Sequence, residues 1–158
     1  MWWRTKRSEF EKNKGEGNKK RLKRIVLSGE IPGLIAYHGD EPVAWCAVAP
    51  REKYPVLENS RVLKRIDDQP VWSVACFFVA RPYRRQGVTA QLLEAAIQYA
   101  RRKRAWILEG YPTEPRKSQM PDAFAWTGLV GAFRKVGFVE AARRSKTRPI
   151  MRYAIRAR

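Results

Sequence analysis

With one histidine, two cysteines and 15 acidic residues against 33 lysines and arginines, this 158-residue chain is short of metal-binding and acid–base groups. A structural zinc needs four ligands, and Cys46, Cys76 and His38 share no metal-like spacing, so no metal is expected. The two cysteines are too few for a disulfide scaffold; both lie in apolar runs and read as reduced, buried thiols. No apolar stretch approaches the ~20 residues that span a bilayer, so no membrane partner is expected. Met1-Trp2-Trp3-Arg4 is followed by no apolar signal core, and the expected location is the cytoplasm.

What is present is a core and a large positive charge. The hydrophobic fraction is 44%, and six residues each of Trp, Tyr and Phe supply bulky core candidates for one domain over residues 1–158. Residues 1–29 form a basic helical part and 33–155 the remaining core. The formal charge of +18 gathers in three clusters. These are Lys19, Lys20, Arg21, Lys23 and Arg24; Arg101 to Arg104; and Arg143, Arg144, Lys146 and Arg148. Such a field draws nucleic acid, acidic protein surfaces or a phosphorylated cofactor. A solvated basic surface without a partner explains it equally well.

Residues 5–28 read as helical, broken near Gly15 and Gly17, with Asn18 as N-cap of the second piece and Gly29 as its stop. Leu22, Ile25 and Val26 make the packing face. Residues 33–37 and 43–48 form a hairpin whose turn holds His38, and residues 50–70 are an irregular loop. The apolar run 71–79 suits a central strand covered on both faces. A helix over 87–103 follows, with Leu92, Leu93, Ala96, Ile97 and Ala100 as its apolar stripe. Then come a strand over 105–111, a loop over 112–121, a helix over 127–136 and two strands, 139–144 and 150–155. Trp45, Trp72 and Trp106 fall in strands and read as core. The class is α+β: a mixed, mostly antiparallel sheet with a central parallel strand–helix–strand unit and helices on both faces.

The loop Ala80 to Thr89 carries the chemistry. Free N–H groups and the dipole at a helix start make an anion site. Gly87 allows close backbone approach, Arg84 and Arg85 add charge-assisted bonds, and Thr89 offers a hydroxyl. Neither the Gly-Lys-Ser/Thr of a Walker loop nor the three spaced glycines of a dinucleotide fingerprint is present.

The run Val74 to Val79, then Pro82-Tyr83-Arg84-Arg85-Gln86-Gly87-Val88, then Leu92-Leu93, resembles motif A of the GNAT N-acetyltransferase family. That signature is Gln/Arg-x-x-Gly-x-Gly/Ala, and Thr89 departs from its small last residue. Phe133 to Phe138 resembles the family's helix ending in Gly-Phe. The resemblance covers residues 33–155. It implies acetyl-CoA as cofactor, with the Phe78 and Val79 backbone holding the pantetheine arm at a splay beside residues 105–111. The amides of Gln86, Gly87, Val88 and Thr89 hold the pyrophosphate. It also implies direct acetyl transfer to a primary amine, on a small molecule or a macromolecule. Two departures stand out: the family's first strand is missing, and Phe133 occupies a position where many members carry a proton-donating Tyr.

Direct attack by an amine calls for a base. Glu109, near the C-terminal end of its strand, is the candidate; an ion pair with one of the many arginines is the equal alternative. Tyr111, or Tyr83, can replace the missing acid. Ser73 and Cys76 lack a nearby histidine and are not expected to act as nucleophiles. Arg51, Tyr54 and Trp126 are placed on loops flanking the cleft as acceptor contacts. The rival reading is a basic nucleic-acid or ribosome-binding module on a degenerate acetyltransferase fold. A free edge left by the missing strand could pair with a second copy.

Overall fold

The structure is a computed structural model and describes residues 1–115 and 125–155; the expected loop over 112–121 lies partly outside them. The basic N-terminal part forms a 3₁₀ turn, Trp2–Arg4, then helices α1 (Arg7–Lys12) and α2 (Glu16–Leu27). The break expected near Gly15 is where the chain turns: Gly15 has φ +75 and takes the N-cap place of α2. Asn18 is not the cap. It is buried one turn inside, its Nδ2 donating to the Phe10 carbonyl at 2.9 Å, so it ties α2 to α1. Gly29, at φ +83, ends α2 as expected, its N–H bonding the Val26 carbonyl. Leu22 and Ile25 are half-buried, but Val26 is exposed, because only a narrow stripe of α2 meets the body.

The hairpin forms from β1 (Gly33–His38) and β2 (Glu41–Pro50), in antiparallel register. The expected irregular loop contains a 3₁₀ turn, Arg51–Lys53, and the single-turn helix α3 (Pro55–Glu58), started by a proline whose fixed φ suits that place. Then follow β3 (Trp72–Val79), α4 (Val88–Arg102), β4 (Ile107–Gly110), α5 (Val130–Lys135), β5 (Val139–Arg143) and β6 (Pro149–Ala154). The sheet order is β1-β2-β3-β4-β6-β5, and β3–β4 is its parallel pair. The α+β class with a central parallel unit is what the sequence led us to expect. Among the described residues no strand precedes β1, so β1 is an edge.

Two cores form, one on each face. All five residues of the expected α4 stripe are buried, and they pack with Val48, Val74, Phe77, Leu108, Phe133 and Met151. Each large aliphatic residue there contributes roughly 1.5–3 kcal/mol of burial. On the opposite face Trp3, Tyr54, Leu57, Leu63, Tyr111 and Ile150 pack under the N-terminal turn, α3 and the chain that follows it. Trp106 is not core: it lies before β4 and is 72% exposed, while Trp45 and Trp72 are half-buried. Cys46 is buried and Cys76 partly so; both are free thiols.

Candidate active site

Seven residues of β2 pair with β3, from Ala44↔Val79 to Pro50↔Trp72, but the β3 partners skip Ala75. Ala75 is therefore a bulge, and bulges bend a strand and end pairing. On its other edge β3 pairs with β4 only over Trp72↔Leu108, Ser73↔Glu109 and Val74↔Gly110. From Ala75 onward the parallel strands part, and this is the splay. Part of it is bridged by residues 126–129. The Phe77 N–H donates to the Trp126 carbonyl at 2.7 Å, and Thr113 N–H to the Gly128 carbonyl at 2.9 Å. Alternation along the strand turns the Val79 N–H to the same edge as that of Phe77, farther into the opening. Phe78 is 57% exposed on the sheet face away from α4.

The loop after β3 is shaped by its own side chains. Arg84 Nε donates to the Val79 carbonyl at 2.9 Å, and Gln86 Nε2 to the Pro82 carbonyl at 2.7 Å. Arg85 has φ +61, a conformation costly for a side-chain-bearing residue, and Gly87 has φ +82. The first helical bonds of α4 run from Ala90 and Gln91 to the Gly87 carbonyl. The amides of Gln86, Gly87, Val88 and Thr89 thus have no acceptor among the described residues, and a Cβ on Gly87 would meet open space. Four unpaired donors at a helix start fit an anion such as a pyrophosphate. The need for glycine here is conformational, since nothing crowds the position.

Phe133 explains two glycines that nothing along the chain marks out. A Cβ on Gly110 would lie 2.1 Å from the Phe133 ring, and one on Gly128 would lie 2.7 Å from it. The ring is wedged between β4 and the bridging segment, edge-on to Phe77 and Phe138.

Glu109 and Tyr111 are not open to a cleft. Glu109 is 1% exposed, and one oxygen accepts from Arg51 Nη1 and the Tyr111 hydroxyl, each at 2.8 Å. The other accepts from Arg152 Nε at 2.8 Å. The ion-pair alternative is what the structure holds, with two arginines rather than one. Tyr111 is fully buried, takes bonds from Arg51 at 2.7 Å and sits 2.7 Å from Ser73 Oγ. Burial above all lifts its phenol far above the usual range, so it stays a donor.

Arg51 and Tyr54 are also displaced from the loop surface where the sequence reading put them. Arg51 is fully buried and reaches Glu58, Glu109, Tyr111 and the Leu63 carbonyl. Tyr54 is 1% exposed, under the Arg4 guanidinium. Trp126 does lie at the splay, 36% exposed and stacked on Trp3. Tyr83 is outside it, its hydroxyl 3.3 Å from both His38 and Glu41. Arg152 and Ser73 join this network through contacts across 38 residues or more, which spacing along the chain cannot signal. Among the described residues no group of metal ligands forms, and no helix is long and apolar enough to cross a membrane.

A strand that parts from its parallel neighbour before an open helix start is the frame the sequence resemblance called for. The sequence profile of the acetyltransferase (GNAT) family matches residues 1–120. The chain belongs to the GNAT acetyltransferase family. This family draws its acetyl group from acetyl-CoA. Solved structures share the GNAT fold at low identity. A Salmonella typhimurium protein described as an acetyltransferase, solved with acetyl-CoA, is 13% identical, with 91% of this chain and 76% of that one covered and a TM-score of 0.57. A Staphylococcus aureus N-acetyltransferase is 11% identical, covering 89% and 77%, with a TM-score of 0.57. The ribosomal-protein-alanine N-acetyltransferase of Brucella melitensis is 16% identical, covering 88% and 77%, with a TM-score of 0.55. No curated protein matches the chain.

Proposed function

We propose that this GNAT protein is an acetyl-CoA-dependent N-acetyltransferase that passes the acetyl group directly to a primary amine. The supporting observation is the coincidence of the Ala75 bulge, the end of β3–β4 pairing at Val74 and the unpaired amides from Gln86 to Thr89. Bound acetyl-CoA would supply the activated thioester. In this reading the β3 edge at Phe78 and Val79 orients the pantetheine arm. Arg84, Arg85 and the amides of Gln86, Gly87, Val88 and Thr89 hold the pyrophosphate, and residues 1–158 act as one catalytic domain. Trp126 faces the acceptor.

Glu109 and Tyr111 then serve as positioning residues, locking the end of β4 beside the splay through Arg51. Phe133 has no proton to give, so the leaving thiolate takes its proton from elsewhere. The amine enters neutral or loses its proton to water, and the rate should rise with pH toward the amine's own pKa.

Isothermal titration with acetyl-CoA tests the reading, with Gly87→Glu as control. Saturable binding that the variant loses is expected, with unchanged circular dichroism. An intact protein that does not bind would overturn it. Light scattering at high concentration tests whether the β1 edge pairs with a second copy; a monomer there removes that partner.

A further inference from the structure

Four arginines have a side-chain nitrogen enclosed by protein yet lacking a hydrogen-bond partner among the described residues: Arg4, Arg21, Arg101 and Arg148. The first three are engaged through another nitrogen, Arg4 with Glu30, Arg21 with Glu9 and Arg101 with Gln98. Arg148 has no such bond and no ion pair among the described residues, although it is half-buried and its Nε is shut away from water. A guanidinium partly stripped of water without an anion is costly, and burial alone pulls its pKa down. Among the described residues, Glu114 on neighbouring chain is paired with Arg143 and Arg134, and Asp67 with Arg152.

Its place in the fold says what could supply the anion. β6 runs antiparallel to β4, so its N-terminal end lies where β3 and β4 part. Beyond the paired residues, Glu114 N–H still bonds the Thr147 carbonyl at 2.9 Å, carrying the alignment up to Arg148. Strand alternation gives Arg148 the same face as Ile150 and Arg152, the face on which Phe78 and Trp126 are exposed beside the splay. Arg144, four residues earlier, bonds the carbonyls of Val62, Lys64 and Arg65, which fixes the adjoining loop. Of the turn's two other cations without an ion pair among the described residues, Lys146 is exposed and Arg148 is half-buried.

We propose that Arg148 is a specificity-determining residue of the acceptor site, and that it takes the carboxylate of an amine acceptor carrying its own acid group. A planar guanidinium and a carboxylate match in charge, one to one, and in a two-point bond; a phosphate is the competing anion that the test separates. The inference rests on the acetyltransferase reading.

The test is CoA release from acetyl-CoA with amino acids and short peptides, each paired with its own carboxamide, and with phosphoethanolamine. Arg148→Gln and Arg148→Lys are compared with Lys146→Gln, which removes an equal charge from an exposed neighbour. We expect carboxylates to be preferred about tenfold or more, and Arg148→Gln to erase the preference through KM with kcat nearly unchanged. Arg148→Lys should keep part of it and Lys146→Gln all of it. A second readout needs neither turnover nor a well-folded Gln variant. The Nε–H resonance of Arg148, assigned by its loss in Arg148→Lys, should move on titration with the carboxylates and stay fixed with the amides. Equal use of acids and amides, a preference for the phosphate, or a fixed resonance overturns the inference. If the resonance moves while acetyl-CoA does not bind, the acetyltransferase reading fails and the carboxylate site stands.

Discussion

At the scale of single residues, the molecule spends its scarce acids with care. Glu109 holds two guanidiniums and a phenol in a dry place, and such a group is costly once a partner goes. Replacing Arg51 with Met should therefore destabilise the protein by about 3–5 kcal/mol, seen as a lower denaturant midpoint, because Glu109 loses its best partner while staying buried. A loss below about 1 kcal/mol would mean that water reaches this network. Glycine positions divide by cause. Gly110→Ala drives a methyl into the Phe133 ring and should cost about 1–3 kcal/mol. Gly87→Ala meets only backbone strain and should cost about 1 kcal/mol. Thermal unfolding of the two variants should rank them in that order. The cysteines make a further check. Burial pushes the Cys46 thiol up to about 12 and raises that of Cys76. Neither should react with iodoacetamide at pH 8 until the protein is unfolded.

At the scale of elements, the site comes from three local devices: a bulge in β3, a left-handed pair of residues before α4, and a side chain wedged beside β4. Their periodic surroundings were plain in the sequence. The α4 stripe, the hairpin and the buried strand all formed where hydrophobic period and turn residues put them. The bulge at Ala75 was not legible, because an extra residue in a strand leaves no mark until the partner's register is known. Arg51 and Tyr54 were misplaced for a related reason. A polar, proline-punctuated stretch reads as surface, whereas here Arg51 is drawn inward by Glu109 and Tyr111. The long connection is held by ion pairs at its far end too. Arg152 bonds Asp67 through Nη1 at 2.6 Å and Nη2 at 3.0 Å, and that bond chiefly holds the Asp67 carboxyl below its ordinary value. A depressed carboxylate stabilises the fold above its unfolded pKa, about 3.9, and loses that contribution as pH falls through the folded value. Asp67→Asn should thus lower the melting temperature at pH 7, and the gap from the parent should close below about pH 4.

At the scale of the whole molecule, charge is the dominant fact, and its three clusters sit on separate elements. They lie on α2, on the last turn of α4 and on the β5–β6 turn, and part of the last is spent internally, Arg143 on Glu114 and Glu140 and Arg144 on backbone carbonyls. Duplex DNA should bind at low salt and release by physiological ionic strength, where the screening length is about 8 Å. Binding that persists there, falling with a log–log slope of about −0.9 per phosphate contacted, would instead favour the nucleic-acid module. What the sequence determined by itself was the order of the main elements, the class and the open helix start after the buried strand. Each of these rests on period, turn chemistry and neighbours within one or two turns of chain. Only the tertiary structure decided where β3 leaves β4, that Glu109 is buried between arginines, and that Arg148 has no partner among the described residues. Those outcomes depend on residues tens of positions apart meeting across the sheet, where burial turns ordinary charges into costly ones that must be paired.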